Sequence, residues 1–247
     1  MINKIIEISR KAGAEILTFY NDEIEVESKS DNSPLTKADM AAHNVIVKAL
    51  KELNSSIPII SEEGGIANFE ERKKWEKYWL VDPLDGTKEF IKKNGEFTVN
   101  IALIHNNEPV LGVVYIPAKS IVYYGAHETG SFKIEKNSKT QLKSVAPNLD
   151  NPVTVVSSRS HGADDLEEQL SKYGVKIGEK KVAGSSLKFC LVAEGSADIY
   201  PRMGPTMEWD TAAGDAVFRF SGQNSPRKSP LVYNKKNLKN PGFIIGL

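Results

Sequence analysis

Apolar positions recur along the chain with two different periods, and their order outlines a fold before any other property is considered. Over residues 2–20, Ile5, Ile8, Ala12 and Ile16 alternate with Lys4, Glu7, Arg10, Lys11 and Glu15, the pattern of an amphipathic helix. The polar stretch holding Ser28, Ser30, Asp31, Asn32, Ser33 and Pro34 reads as a loop or hairpin. Thr36 and Asp39 then form a helix-start signal, and Ala42, Val45/Ile46, Ala49/Leu50 and Leu53 continue it at helical spacing. Tyr78-Trp79-Leu80-Val81 is apolar and aromatic, as in a buried strand. Three β-branched runs follow, Phe97 to Ile104, Val110 to Ile116 and Ile121 to Tyr124, split by Asn106-Asn107 and by Pro117-Ala118-Lys119. They predict an antiparallel meander.

The second half changes rhythm. Strands are expected at Val153 to Val156, Val175 to Ile177 and Ala197 to Tyr200, with helices at Asp164 to Lys172 and at Ser185 to Glu194, the latter ended by Gly195. A further helix runs through Thr211-Ala212-Ala213-Gly214, and Phe243-Ile244-Ile245 reads as a last strand. Strands alternating with helices argue for a mixed or parallel sheet. The polar stretch Lys133 to Asn151 is the expected seam, giving an N-terminal α+β half over 1–140 and a C-terminal α/β half over 141–247.

Composition narrows the class. A chain of 247 residues with 40% hydrophobic content can bury one large core or two that share an interface. Lys plus Arg and Asp plus Glu both number 32, so no basic excess argues for a nucleic-acid polymer as partner. Cys190 is the single cysteine and sits among Phe189, Leu191 and Val192, which suits a buried core residue and a reducing compartment. The first helix carries too many charges for a signal peptide, and no apolar run is long enough to span a bilayer. The expectation is a soluble cytoplasmic protein, monomer or homodimer, with peripheral membrane association left open.

Residues Asp82-Pro83-Leu84-Asp85-Gly86-Thr87 add chemistry to this scaffold. Two acids at the end of a buried strand repel each other and are costly to desolvate without a cation. Carboxylate oxygens suit hard cations such as Mg²⁺, which share their coordination among a few acids, water and phosphate oxygens. After Gly86, the run Thr87-Lys88-Glu89-Phe90-Ile91 can start a short helix whose N–H groups face an anion. Together these predict a metal-dependent reaction on a phosphate. Other acids keep two readings at this point. Asp39 also fits a helix-start acid, Glu62-Glu63 before Gly64-Gly65 a solvated turn, and Asp210 beside Trp209 an ordinary acid at a helix N-terminus. A covalent route through an aspartyl-phosphate, which uses D-x-D-G-T, is disfavoured because Pro83 holds the place of the nucleophile. Direct attack by a metal-activated water remains.

Ser61-Glu62-Glu63-Gly64, Asp82 to Thr87 and Trp209-Asp210-Thr211-Ala212-Ala213-Gly214 stand in the order and spacing of a known signature. The chain resembles the lithium-sensitive, magnesium-dependent inositol monophosphatase superfamily over essentially its whole length. Within it, Asp82 to Ile91, Gly95 to Ile104, Ser157-Ser158-Arg159-Ser160-His161 and Gly184 to Cys190 look most like the CysQ-type 3′(2′),5′-bisphosphate nucleotidases. The resemblance implies a layered αβαβα sandwich with most metal ligands in the first half and nucleotide contacts in the second. It implies two or three Mg²⁺ ions and inhibition by Li⁺. Glu62, Asp82 and the Leu84 carbonyl would hold one ion and Asp82, Asp85 and Asp210 another, with Glu63 nearby. Thr87, bonded towards Asp39, would orient the attacking water, and the phosphate would rest on the Gly86/Thr87 backbone.

The implied reaction converts adenosine 3′,5′-bisphosphate to AMP and phosphate. For the rest of the nucleotide the candidates are Ser158, His161, Ser185, Lys188 and Arg202, because a second phosphate demands cations and hydroxyls. Each has a plain alternative: Lys188 a surface lysine, His161 a turn residue, Ser185 a helix cap. Arg159 could take the phosphate role instead. An inositol monophosphatase or broad sugar phosphatase would share every metal-binding residue named. A non-catalytic nucleotide-binding regulator is a third class, opposed by the intact set Asp39, Glu62, Asp82, Asp85, Thr87 and Asp210.

Overall fold

The computed structural model describes residues 1–20, 26–28, 34–159, 166–222 and 225–247. Helix α1 (Ile2–Tyr20) covers the expected span, and a short antiparallel pair, β1 (Val26–Ser28) and β2 (Pro34–Thr36), leads into α2 (Lys37–Leu53). Next come β3 (Ile59–Ser61), α3 (Phe69–Arg72), β4 (Lys77–Asp85), α4 (Thr87–Ile91), β5 (Thr98–His105) and β6 (Glu108–Ile116). A 3₁₀ turn at Pro117–Lys119 precedes β7 (Ile121–Ala126), β8 (Gly130–Glu135) and β9 (Ser138–Gln141). The remaining elements are β10 (Val153–Ser158), α5 (Leu166–Ser171), β11 (Ile177–Ala183), α6 (Leu187–Ala193), β12 (Tyr200–Arg202), β13 (Thr206–Met207), α7 (Glu208–Arg219), β14 (Lys239–Asn240) and β15 (Phe243–Ile245).

Strands β3 to β9 form one seven-stranded sheet in sequence order, with β3 parallel to β4 and every later pair antiparallel. The expected meander is therefore its centre. The β5–β6 turn uses Asn106 and Asn107 at φ 51 and 63, the left-handed conformation that Asn tolerates and that matches strand twist. Both faces are buried, which is why β4 and β5 read as nearly continuous apolar runs. On one face Trp79, Val81, Val99 and Ile101 meet Ile5, Ile8, Ala12 and Ile16 of α1 and Ala42, Ile46 and Leu50 of α2. Each of those buried isoleucines contributes roughly 2 kcal/mol of hydrophobic stabilisation. On the other face Tyr78, Leu80, Ala102 and Ile104 meet α6 and α7.

Helix α7 lies close to the sheet because small residues face it. A Cβ on Gly112 would fall 2.5 Å from the Ala213 carbonyl oxygen, so a side chain there would push the helix away. Beyond α6 and α7, β10 pairs in parallel with β11, Val155 bridges Ile199, and β12 pairs with β15. Leu166 and Leu170 of α5 cap the far side of that second layer against Val153, Val155 and Ile199. The order of layers is α1/α2, large sheet, α6/α7, small strands, α5, which is the expected αβαβα arrangement.

Three expectations shift, one being the strand expected at Ala197 to Tyr200, of which only Tyr200 lies in β12 while Ile199 forms an isolated bridge with Val155. The polar run from Lys133 is not all seam, because β8 extends to Glu135 and β9 occupies Ser138–Gln141 as an exposed sheet edge. An edge strand needs no apolar alternation, and its lysines discourage further pairing. The strand expected at Val175–Ile177 is instead β11 at Ile177–Ala183, whose Glu179 and Lys180 are exposed. The start expected for α5 at Asp164 lies outside the described residues. Among the described residues no helix is long and apolar enough to cross a membrane.

Candidate active site

The β3–β4 register sets the first two acids side by side. Ser61 pairs with Val81, the Glu62 N–H donates to the Val81 carbonyl at 3.1 Å, and the residues that follow are Glu62, just past the end of β3, and Asp82. Across β4, Asp82 pairs with Asn100 and Asp85 with Thr98, with Pro83-Leu84 bulging between them. The bulge turns the strand end so that both aspartates leave it at one place. Asp210 arrives from the first turn of α7, where its Oδ2 accepts the Met207 N–H at 2.8 Å. Carboxylate oxygens of Glu62, Asp82 and Asp210, drawn from three distant segments, lie within 4.8 Å of one another. Asp85 stands beside this trio, and Asp39, buried in the first turn of α2, faces the same place and helps to push Asp82 up.

The chain anchors each aspartate. Asp82 Oδ1 accepts the Leu84 N–H at 3.1 Å. Asp85 Oδ2 accepts the Ser186 N–H at 2.6 Å, Asn100 Nδ2 at 3.2 Å and Thr98 Oγ1 at 3.5 Å. Ser186 Oγ in turn donates to the Asp210 carbonyl at 2.7 Å, so one serine links Asp85 to the backbone of Asp210. Behind Glu62, His43 Nδ1 and Ser61 Oγ are 2.8 Å apart, tying α2 to the end of β3; burial lowers the pKa of this histidine.

Electrostatics show what the acids lack. Burial, then Glu62, Asp85, Asp210 and Asp39, hold the Asp82 carboxyl far above the usual range. Burial and then Asp85 do the same to Asp210. Burial raises Asp85 as well, opposed by Lys188 and by the Ser186 and Asn100 hydrogen bonds. Buried carboxyls crowded in this way resist ionising together, and a divalent cation is the partner their oxygen donors suit. The residues present therefore fit Mg²⁺.

These acids form one end of a cleft of about 290 Å³, whose walls include Gly86, Thr87, Ser158, Ser185, Lys188, Tyr200 and Arg202. Thr87 Oγ1 donates to the Leu84 carbonyl at 3.4 Å, so it sits directly over the carbonyl expected to face an ion. Ser185 adopts φ 46, and its buried Oγ has no hydrogen-bond partner among the described residues. Arg202 Nη2 donates to the Pro205 carbonyl at 3.3 Å, while its buried Nε has no partner there. Lys188 is not a surface lysine. It is 4% exposed, its ammonium donates to the carbonyls of Ala183 and Ser185, and burial lowers its pKa to about 8. Arg159 is held by Glu96. His161 lies outside the described residues.

The supports of Asp85 were not singled out from the sequence. Asn100 carried a signal, an amide in the middle of the apolar run Val99-Asn100-Ile101, and Ser186 was the neglected second serine of Gly184-Ser185-Ser186.

A model of the inositol monophosphatase family matches residues 1–226. The chain belongs to that family. It is 46% identical to the 3′(2′),5′-bisphosphate nucleotidase CysQ of Escherichia coli over 100% of both chains. It is 35% identical to the protein of that name from Haemophilus influenzae, covering 99% of this chain and 92% of the other. The crystal structure of CysQ from Bacteroides thetaiotaomicron, a bacterial member of the family, matches with TM-score 0.79 at 42% identity, covering 98% and 96% of the two chains. The Thermotoga maritima IMPase shares the fold at TM-score 0.73 and 23% identity, over 90% and 83%. The family is Mg²⁺-dependent, and the clustered acids of this chain meet that requirement.

Proposed function

We propose that this protein is a Mg²⁺-dependent 3′(2′),5′-bisphosphate nucleotidase that converts adenosine 3′,5′-bisphosphate to AMP and phosphate. The observation that carries the reading is the match to CysQ nucleotidases from end to end at 46% identity. The gathering of Glu62, Asp82 and Asp210 within 4.8 Å supplies a chemistry to go with it. Glu62, Asp82, Asp85, Asp210 and the Leu84 carbonyl are assigned to hold two or three ions. Bound Mg²⁺ would neutralise phosphate oxygens and acidify water.

The chain's own groups do the rest. Asp39 and Thr87 orient the attacking water, with Glu62 beside them, and the backbone at Gly86 and Thr87 seats the phosphate. Ser158, Ser185, Arg202 and His161 are assigned to the remainder of the nucleotide. Lys188, buried behind the turn at 183–185, offers its charge to the cleft through that turn. The acids come mainly from residues 1–140 and the nucleotide groups from 141–247, so the substrate would lie across both halves. Inhibition by Li⁺, a cytoplasmic location and a monomeric or homodimeric state belong to the same proposal.

The test is phosphate release from adenosine 3′,5′-bisphosphate, inositol 1-phosphate and fructose 1,6-bisphosphate, each with Mg²⁺, with chelator and with added Li⁺. Preferred release from the nucleotide, abolished by chelator, is expected. Turnover of the inositol ester alone would replace the substrate assignment with that of an inositol monophosphatase.

A further inference from the structure

Glu96 joins three segments that are remote in sequence. Its Oε2 accepts Arg159 Nε at 3.1 Å and the Gly184 N–H at 2.8 Å, while Oε1 accepts Arg159 Nη2 at 3.0 Å. Its own backbone is fixed by the Glu96 N–H bond to Asn94 Oδ1 at 2.9 Å. The contact with residue 184 is intimate, since a Cβ there would lie 2.8 Å from the Glu96 carbonyl oxygen and 3.0 Å from its Cβ, so glycine is needed for it. Ser158, next to Arg159, and Ser185, next to Gly184, both line the cleft. Glu96 itself belongs to the sheet side, just before β5, close to Gly86. One carboxylate thus ties the phosphate end of the cleft to two of the segments assigned to the rest of the substrate.

The pair is not placed to stabilise the fold. The Arg159 side chain is 45% exposed and Glu96 16%, and partly exposed ion pairs contribute little to stability. Its bidentate geometry gives direction, because a planar fork on a carboxylate fixes orientation as a lysine cannot. With two of its donors spent on Glu96, Arg159 is held in place next to Ser158, which lines the cleft.

We propose that Glu96 and Arg159 form a strap beside the cleft, joining the segments that carry Ser158 and Ser185, that sets the distance between its phosphate end and its nucleotide end, and so selects substrates long enough to engage both. They are positioning residues, and the inference rests on the nucleotidase reading above. A monoester held only at the phosphate end would not feel the strap.

The experiment measures kcat and KM at saturating Mg²⁺ for adenosine 3′,5′-bisphosphate and for p-nitrophenyl phosphate, with wild type, Glu96→Gln, Arg159→Gln, the double variant and Arg159→Lys. Calorimetric binding of AMP is a readout free of turnover. Each single Gln variant should raise KM for the bisphosphate about tenfold and weaken AMP to a similar extent, while kcat and all monoester constants stay within about twofold. The double variant should be no worse than Glu96→Gln alone, because the Arg159 bond is already disrupted when its carboxylate partner is changed. Arg159→Lys, which keeps the charge and loses the fork, should show most of the loss. Equal losses on both substrates, multiplying losses in the double variant, or near-normal behaviour of Arg159→Lys would each overturn the strap. A wild-type protein that cleaves the monoester and ignores the bisphosphate would instead overturn the nucleotidase reading, and the strap with it.

Discussion

The two ends of the cleft are built differently. The acid end stands on β3, β4 and the first turn of α7, with each aspartate anchored by a backbone N–H, through Leu84 to Asp82, Ser186 to Asp85 and Met207 to Asp210. The far end stands on the tip of β10, the turn before α6 and the short β12, and offers hydroxyls and cations. Strand ends and a long helix hold charges that oppose one another; a strand tip and short elements hold groups that merely need to meet a ligand. Rigid framework is thus placed where electrostatic strain is greatest, which is where a cation must find its donors already in place.

Variants can separate the two ends. The largest effect is expected from Asp82→Asn, which removes the carboxylate central to the cluster. Turnover should fall about a thousandfold or more, in keeping with the loss of a group that stabilises developing charge. The same change relieves repulsion, so the metal-free variant should melt about 2–4 °C higher than metal-free wild type. Near-normal rates, measured as phosphate release, would refute the role given to this acid. Next comes Asn100→Ala, which takes one anchor from Asp85 while leaving every proposed ligand in place. The Mg²⁺ concentration for half-maximal rate should rise about 10- to 100-fold, with a parallel loss in calorimetric Mg²⁺ affinity. A change in KM for the nucleotide with Mg²⁺ binding intact would move Asn100 to the other end of the cleft.

Arg202→Gln should act there alone, raising KM for the bisphosphate about fivefold and leaving Mg²⁺ dependence unchanged, the effect of one partly solvated charge-assisted bond. The smallest effect is on stability against pH. Asp82, Asp85 and Asp210 have folded pKa values raised by burial. An acid so raised contributes stability that is complete below its unfolded pKa of about 4 and is lost as pH climbs through the folded value. Metal-free wild type should therefore lose ground to metal-free Asp82→Asn as pH rises from about 4 towards neutrality, and Mg²⁺ should close the gap. Thermal melts at stepped pH check this, and a gap independent of pH would contradict it.

Much of the scaffold was legible because local pattern and tertiary role agree. The bounds of α1 follow from the spacing of Ile5, Ile8, Ala12 and Ile16, and β4 from Tyr78 to Val81 ending in two aspartates. Polarity misled where an element lies at an edge: Ser138–Gln141 is fully exposed yet pairs with β8, and Glu179 to Lys181 belong to a strand with one partner. Within the site, the acids were legible as pairs of charges that need an explanation. Their supports were not, because Asn100 reaches Asp85 only once β4 and β5 align, and Ser186 reaches both Asp85 and Asp210 only once α6 docks. The Glu96–Arg159 bond, 63 residues long in sequence, has no local pattern at all.

The near-contact of the Ala213 carbonyl with the backbone at Gly112 leaves no interval in which α7 and the large sheet could slide or tilt. Asp210 travels with that helix, so its place opposite Asp82 is fixed, and a hinge-like opening between α7 and the large sheet would have to break a close-packed seam. Admission and escape of a ligand then fall to the lighter pieces around the rim such as the tip of β10, rather than to the turn at 183–186, whose Ser186 N–H anchors Asp85.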